Sequence, residues 1–153
     1  MLIDFNSIAE ESRIWIYASE QRLTNKSEFY IHTTISNFLK NWESHKVPLI
    51  SAVTILHNHF IVVAVDESKH SASGCSIDSL QNILQSLEKK LLITLMNRLN
   101  VYCKIDNDIK CMDLNNLSGI EKDTLFFDLT IKTKRNLNNW LKPIEQGWCH
   151  SYL

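Results

Sequence analysis

Six consecutive apolar residues, Phe60-Ile-Val-Val-Ala-Val65, constrain this chain more than any other stretch. Most are β-branched, and no polar residue interrupts them. Such a run suits a strand covered on both faces, so it belongs in the interior of a layered structure. Eleven polar or small residues follow, Asp66-Glu-Ser-Lys-His-Ser-Ala-Ser-Gly-Cys-Ser76. Then Ile77, Leu80, Ile83, Leu84, Leu87 and Leu91 recur at helical spacing on one face. Cys75 or Ser76 is expected at the N-cap, with Asp78 in the first turn, where the helix dipole favours an acid. The polar loop is thus expected to end at a helix N-terminus. Unpaired N–H groups there can hold an anion or stabilise a thiolate.

The rest of the chain supplies the layers. Arg13-Ile-Trp-Ile-Tyr17 reads as a strand, with Ile14 and Ile16 on one face and Trp15 and Tyr17 on the other. Asn25 and Glu28 resemble a capping pair, and Ile31, Ile35, Phe38, Leu39 and Trp42 predict a helix over 26–43. Pro48 breaks the chain before a strand over 49–56. His57-Asn58-His59 is a tight turn, its histidines expected in solvent. The second helix is expected to run to about Arg98. Strands at 101–105 and 109–114 flank an Asp106-Asn-Asp108 turn. One more short strand at 124–127 and a helical segment at 130–139 follow.

The order through residue 105 is strand, helix, strand, strand, helix, strand. That order predicts an α+β fold with a ferredoxin-like βαββαβ core, two helices on one face of an antiparallel sheet, and a C-terminal hairpin and helical extension. With 153 residues and no linker or repeat, a single domain is expected, its core over about 12–106 and its extension over about 107–153. Trp15, Tyr17 and alternate residues of 60–65 are expected on the sheet face away from the helices. Either the extension covers that face or a second subunit does, as a homodimer.

A formal net charge of −1 removes the usual drive toward nucleic acid, and no apolar run approaches the roughly 20 residues of a membrane span. The N-terminal residues show no secretory pattern, so a cytoplasmic protein is expected. Cys75, Cys103, Cys111 and Cys149 lack metal-ligand spacing and read as reduced thiols, although Cys103 and Cys111 could face one another across their hairpin. No metal or cofactor is expected. No G-x-x-x-x-G-K-[ST] loop, G-x-G-x-x-G or G-x-S-x-G is present. Lys132, Lys134 and Arg135 read as a solvated basic face.

Chemistry therefore concentrates in 66–76. The first expectation is a non-catalytic binding or interaction domain. Ser73, Gly74, Ser76 and Asp78 would frame a site for an anionic small molecule or an acidic group of a protein partner. The alternative is an enzyme in which Cys75 is a nucleophilic or redox thiol, His70 its base, and Asp66 or Glu67 the group orienting His70. The bland account of the same residues is a loop whose hydroxyls and acids satisfy its own backbone.

Ser12-Arg-Ile-Trp-Ile-Tyr17, Ala64-Val-Asp-Glu-Ser68, Ser71-Ala-Ser-Gly-Cys-Ser-Ile-Asp-Ser79 and the ending Trp140, Pro143, Gly147-Trp148 span most of the chain. In these the chain resembles an uncharacterised family of short bacterial cytoplasmic proteins often labelled "ABC transporter ATPase". Leu117-Ser118-Gly119 is similar to part of the transporter signature, but no phosphate-cradling loop accompanies it. The resemblance implies no established activity.

Overall fold

The structure, a computed structural model, describes residues 1–153. In chain order its elements are β1 (Arg13–Ala18), α1 (Asn25–Leu39), β2 (Glu43–Ser44), β3 (Val47–Pro48), β4 (Ile50–Leu56), β5 (Phe60–Asp66), α2 (Gly74–Leu91), β6 (Asn100–Ile105), β7 (Asp108–Asp113), β8 (Leu125–Phe127) and β9 (Leu141–Pro143). The fold is α+β. The chain divides into two compact units, Met1–Met96 with Lys132–Arg135, and Asn97–Ile131 with Asn136–Leu153.

In the first unit the apolar run is the middle strand of three, in the order β1-β5-β4. Both neighbours are antiparallel to β5, so β1 and β4 run parallel with β5 inserted between them. Phe60 through Val65 are all fully buried, as an uninterrupted apolar strand requires. Ile31, Ile35 and Leu39 of α1 and Leu80, Leu84 and Leu87 of α2 share one core with Tyr17, Val53, Ile61, Val63 and Val65.

Trp15 also packs against this core, so Trp15 and Tyr17 point toward the helices rather than away from them. The register explains this. Trp15 lies opposite Val63 and Tyr17 opposite Ile61, and paired residues share a sheet face. On the other face Ile14, Ala52, Phe60, Val62 and Ala64 are at most 5% exposed, so that face is covered within the chain.

The expected fourth strand of a ferredoxin-like sheet does not join this one. Residues 100–105 form β6, which pairs with β7 and β8 in the second unit. Beside β1 lie irregular segments instead. The Ile14 N–H donates to the Lys132 carbonyl at 3.0 Å, the Lys134 N–H to Ser12 at 2.9 Å, and the Ala18 N–H to Leu95 at 3.0 Å. At the opposite edge residues 1–3 run alongside β4, with the Ile3 N–H donating to Ser51 at 2.8 Å. Part of each edge is thereby occupied by other segments of the chain.

The helices are shorter than their apolar periodicity predicts. α1 stops at Leu39, and Trp42 turns inward so that its indole Nε1–H donates to the Ser76 carbonyl at 2.9 Å. α2 stops at Leu91, followed by Leu92 in the left-handed region. The Glu88 carboxylate then accepts the N–H groups of Leu95 and Met96, drawing the chain off the helix axis.

The second unit is a four-stranded sheet in the order β7-β6-β8-β9. Val101, Cys103, Leu114, Leu117, Phe126, Ile144 and Cys149 form its core. The helix expected over 130–139 is only a 3₁₀ turn over Lys134–Asn138. No helix is long and apolar enough to cross a membrane.

Candidate functional site

The loop after β5 is shaped by its own acids. Asp66 Oδ1 accepts the Ser68 N–H at 3.0 Å, and this bond holds its carboxyl below the usual carboxylate range. Glu67 Oε2 accepts the Ala72 N–H at 2.9 Å, while its Oε1 lies 3.9 Å from the Arg13 guanidinium. Arg13 in turn stacks 4.6 Å from the centre of the Trp15 ring. His70 crosses to the β2–β3 hairpin, where its Nε2 lies 2.8 Å from the Ser44 carbonyl. A carbonyl only accepts, so Nε2 carries the proton and Nδ1 keeps a lone pair in the neutral ring.

The N-cap of α2 is Ser73, ahead of the expected Cys75 or Ser76. Ser73 Oγ accepts the Ser76 N–H at 3.2 Å, and Ser76 Oγ accepts the Ser73 N–H at 2.7 Å. This reciprocal capping box uses the two hydroxyls expected to receive an anion. Ser76 is buried, and its hydroxyl donates back to the Ser73 carbonyl. The cap position has a local cause. Serine ahead of Gly74 satisfies the helix start before the apolar periodicity begins. Asp78 consequently lies beyond the first turn and is exposed.

The proposed thiol centre is not assembled by hydrogen bonds. Cys75 is exposed in the first turn of α2 and makes no hydrogen bond to His70. Asp66 bonds to Ser68 and not to His70.

The loop and the hairpin flank a shallow, open cleft of about 450 Å³, lined by Ser44, His45, Glu67, Lys69, His70, Ser71, Ala72 and Ser73. Of the residues expected to carry a site, Glu67, His70 and Ser73 reach this cleft; Asp66, Gly74, Cys75, Ser76 and Asp78 do not line it. Ser44, His45, Lys69 and Ser71 were not anticipated. The hairpin lies in the polar stretch between Trp42 and Pro48, 26 residues from His70, and no local pattern links the two segments. His45 and Lys46 form its turn with φ of 51° and 67°, a conformation that favours Gly or Asn. Ser44 is buried, and its hydroxyl has no hydrogen-bond partner.

Electrostatically the cleft sets one ammonium, Lys69, and two imidazoles beside one carboxylate, Glu67, whose charge is partly offset by Arg13 and the Ala72 N–H. No group of three or more His, Cys, Asp or Glu side chains is placed to hold a metal ion.

The remaining histidines and thiols do not line the cleft. His59 is buried, and its Nδ1 lies 2.9 Å from the Ser19 carbonyl, contrary to the expectation of a solvent-facing turn residue. His57 is exposed. Cys103 pairs in register with Lys110, and Cys111 with Tyr102, so the two thiols leave opposite faces of the hairpin. Burial first, and then the neighbouring Cys149 and Cys111, push the Cys103 thiol up to about 11. None of the four cysteines is in a disulfide.

Comparison with protein-family models, with curated proteins and with solved structures finds no match for this chain.

Proposed function

We propose that this protein is a binding domain whose cleft between the β5–α2 loop and the β2–β3 hairpin takes a small anionic molecule. The observation that carries the proposal is the convergence of His45, Lys69 and His70 on one cleft in which the single carboxylate, Glu67, is already engaged. The cleft's volume falls within the range of small-molecule sites, and convergent polar groups of this kind fix a ligand's orientation. The donors are side chains of the loop and hairpin rather than the Ser73 and Ser76 hydroxyls, which belong to the helix cap. A thiol reaction at Cys75 has less support, because His70 is held by the Ser44 carbonyl and Cys75 does not line the cleft.

Titration calorimetry with inorganic phosphate tests the proposal. Saturable binding that weakens with added salt is expected, and Lys69→Ala should reduce affinity about tenfold, the worth of one charge-assisted hydrogen bond. Lys69 is exposed, so the substitution should leave stability within about 0.5 kcal/mol. Phosphate binding that Lys69→Ala and His45→Ala leave unchanged would place the anion elsewhere and refute the assignment.

A further inference from the structure

Resting on the anion-binding proposal, we infer that the ligand of this cleft is a phosphomonoester carrying aliphatic hydroxyl groups, of the sugar-phosphate or polyol-phosphate class, and not a nucleotide. Three features of the lining separate these classes.

The first is the absence of a stacking surface. Ala72 is the only apolar residue in the lining, and no Phe, Tyr or Trp is among the eight residues. A purine or pyrimidine is held largely through its faces, on aromatic or broad aliphatic side chains. A base entering this cleft would exchange water for hydroxyls and imidazole edges and gain little.

The second is charge. Lys69 supplies one fixed positive charge, and His45 and His70 supply imidazoles. That set matches a phosphomonoester, with its charge of about −1.5 to −2 at neutral pH. A triphosphate carries more charge than the single Lys69 ammonium can offset.

The third is the supply of acceptors for ligand hydroxyls. Glu67 Oε1 lies 3.9 Å from Arg13, beyond a hydrogen bond, so it can accept an O–H. The Arg13 guanidinium beside it lessens the unfavourable field that a carboxylate would otherwise set against a phosphate. His70 donates through Nε2 to Ser44, which leaves Nδ1 as a second acceptor in the neutral ring. Ser71 is exposed on the same cleft and both donates and accepts. Inorganic phosphate has no carbon-borne hydroxyls and would leave these groups to water.

Calorimetric titration of the full chain with glucose 6-phosphate, glycerol phosphate, AMP and inorganic phosphate decides the matter. The two hydroxylated monoesters are expected to bind at least about tenfold more tightly than inorganic phosphate, equivalent to one or two added hydrogen bonds. AMP, whose ribose hydroxyls come with a base that finds no platform, should bind less tightly than glucose 6-phosphate. Ser71→Ala should lower the affinity for glucose 6-phosphate more than that for inorganic phosphate, and so narrow the gap between them. Equal affinities for all four, or tightest binding of AMP, would overturn the inference and leave the anion site standing. No binding of any of the four would remove both.

Discussion

At the scale of single residues the cleft carries a conformational cost. His45 and Lys46 both take positive φ in a two-residue turn between Ser44 and Val47. An L-residue in that region is disfavoured by about 1–2 kcal/mol, and neither His nor Lys has the short polar side chain that eases it. The equivalent turn between β6 and β7 uses Asp106 and Asn107, which tolerate the conformation. Lys46→Gly is therefore expected to raise stability by about 0.5–1 kcal/mol, the relief of strain exceeding the added freedom of the unfolded chain. An unchanged or lower urea midpoint would show that the turn is not strained at this position. The cysteines also make a residue-level prediction. Cys75 is exposed, Cys111 is partly covered, and Cys103 and Cys149 are buried with their thiols pushed up by burial. Under native conditions iodoacetamide should label Cys75 first, then Cys111, and reach Cys103 and Cys149 only on unfolding. Mass spectrometry of a time course reads that order, and early labelling of Cys103 would contradict the burial.

At the scale of elements, the ends of helices and turns hold most of the surprises. α2 closes on Leu92, which has a φ of 55° and is 89% exposed. This is a position where glycine is common, and Leu92 loses no packing when replaced. Leu92→Gly should stabilise the protein by about 0.5–1 kcal/mol in chemical denaturation, and destabilisation would mean that the exposed side chain has an unseen role. Gly147 is the opposite case. A Cβ built there would fall 2.1 Å from Cζ of the buried Phe126 ring. Gly147→Ala should cost about 1–3 kcal/mol by overpacking, and a neutral result would show that the ring can shift. Strand β5 and the apolar faces of both helices were legible because their periodicities are strong. The cap of α2 was displaced because Ser73 and Ser76 satisfy each other, an arrangement that competes with every other serine in the same loop.

Across the whole molecule, two contacts distant in sequence matter. Lys134 was read as part of a solvated basic face, yet its ammonium donates to the Ile8 carbonyl at 2.8 Å and the Asn6 carbonyl at 3.3 Å, and lies 3.6 Å from Glu10. It pins the N-terminal segment from 126 residues away. Lys134→Ala should lower stability by about 1–3 kcal/mol, as loss of hydrogen bonds from a charged donor does, whereas the exposed Lys132→Ala should be near neutral. Asp128 carries a pH dependence. Burial would push its carboxyl up, but the Thr130 hydroxyl and N–H and the Lys142 ammonium outweigh burial and hold it below the usual range. A group depressed in the folded state contributes stability above its unfolded value, about 3.9, and that contribution is lost as pH falls through the folded value. Asp128→Asn should therefore flatten the fall in stability below about pH 4. An unchanged acid limb would show that Asp128 is not linked to folding.

The amino-acid sequence alone determined that this chain is α+β, that Phe60–Val65 is a buried strand, and that a polar loop leads from it to a helix. Each follows from short-range regularities: period, branching and capping chemistry act within a few residues. Tertiary structure decided the rest. Only the register of β1 on β5 turned Trp15 and Tyr17 toward the helices. Only the tertiary structure sets Lys132–Thr133 beside β1 and pairs β6 with β7 and β8 in another sheet. The cleft likewise exists because the Ser44 carbonyl meets His70. Nothing near either residue encodes that meeting, since contacts between segments are selected by the packing energy of the whole unit and not by local propensity.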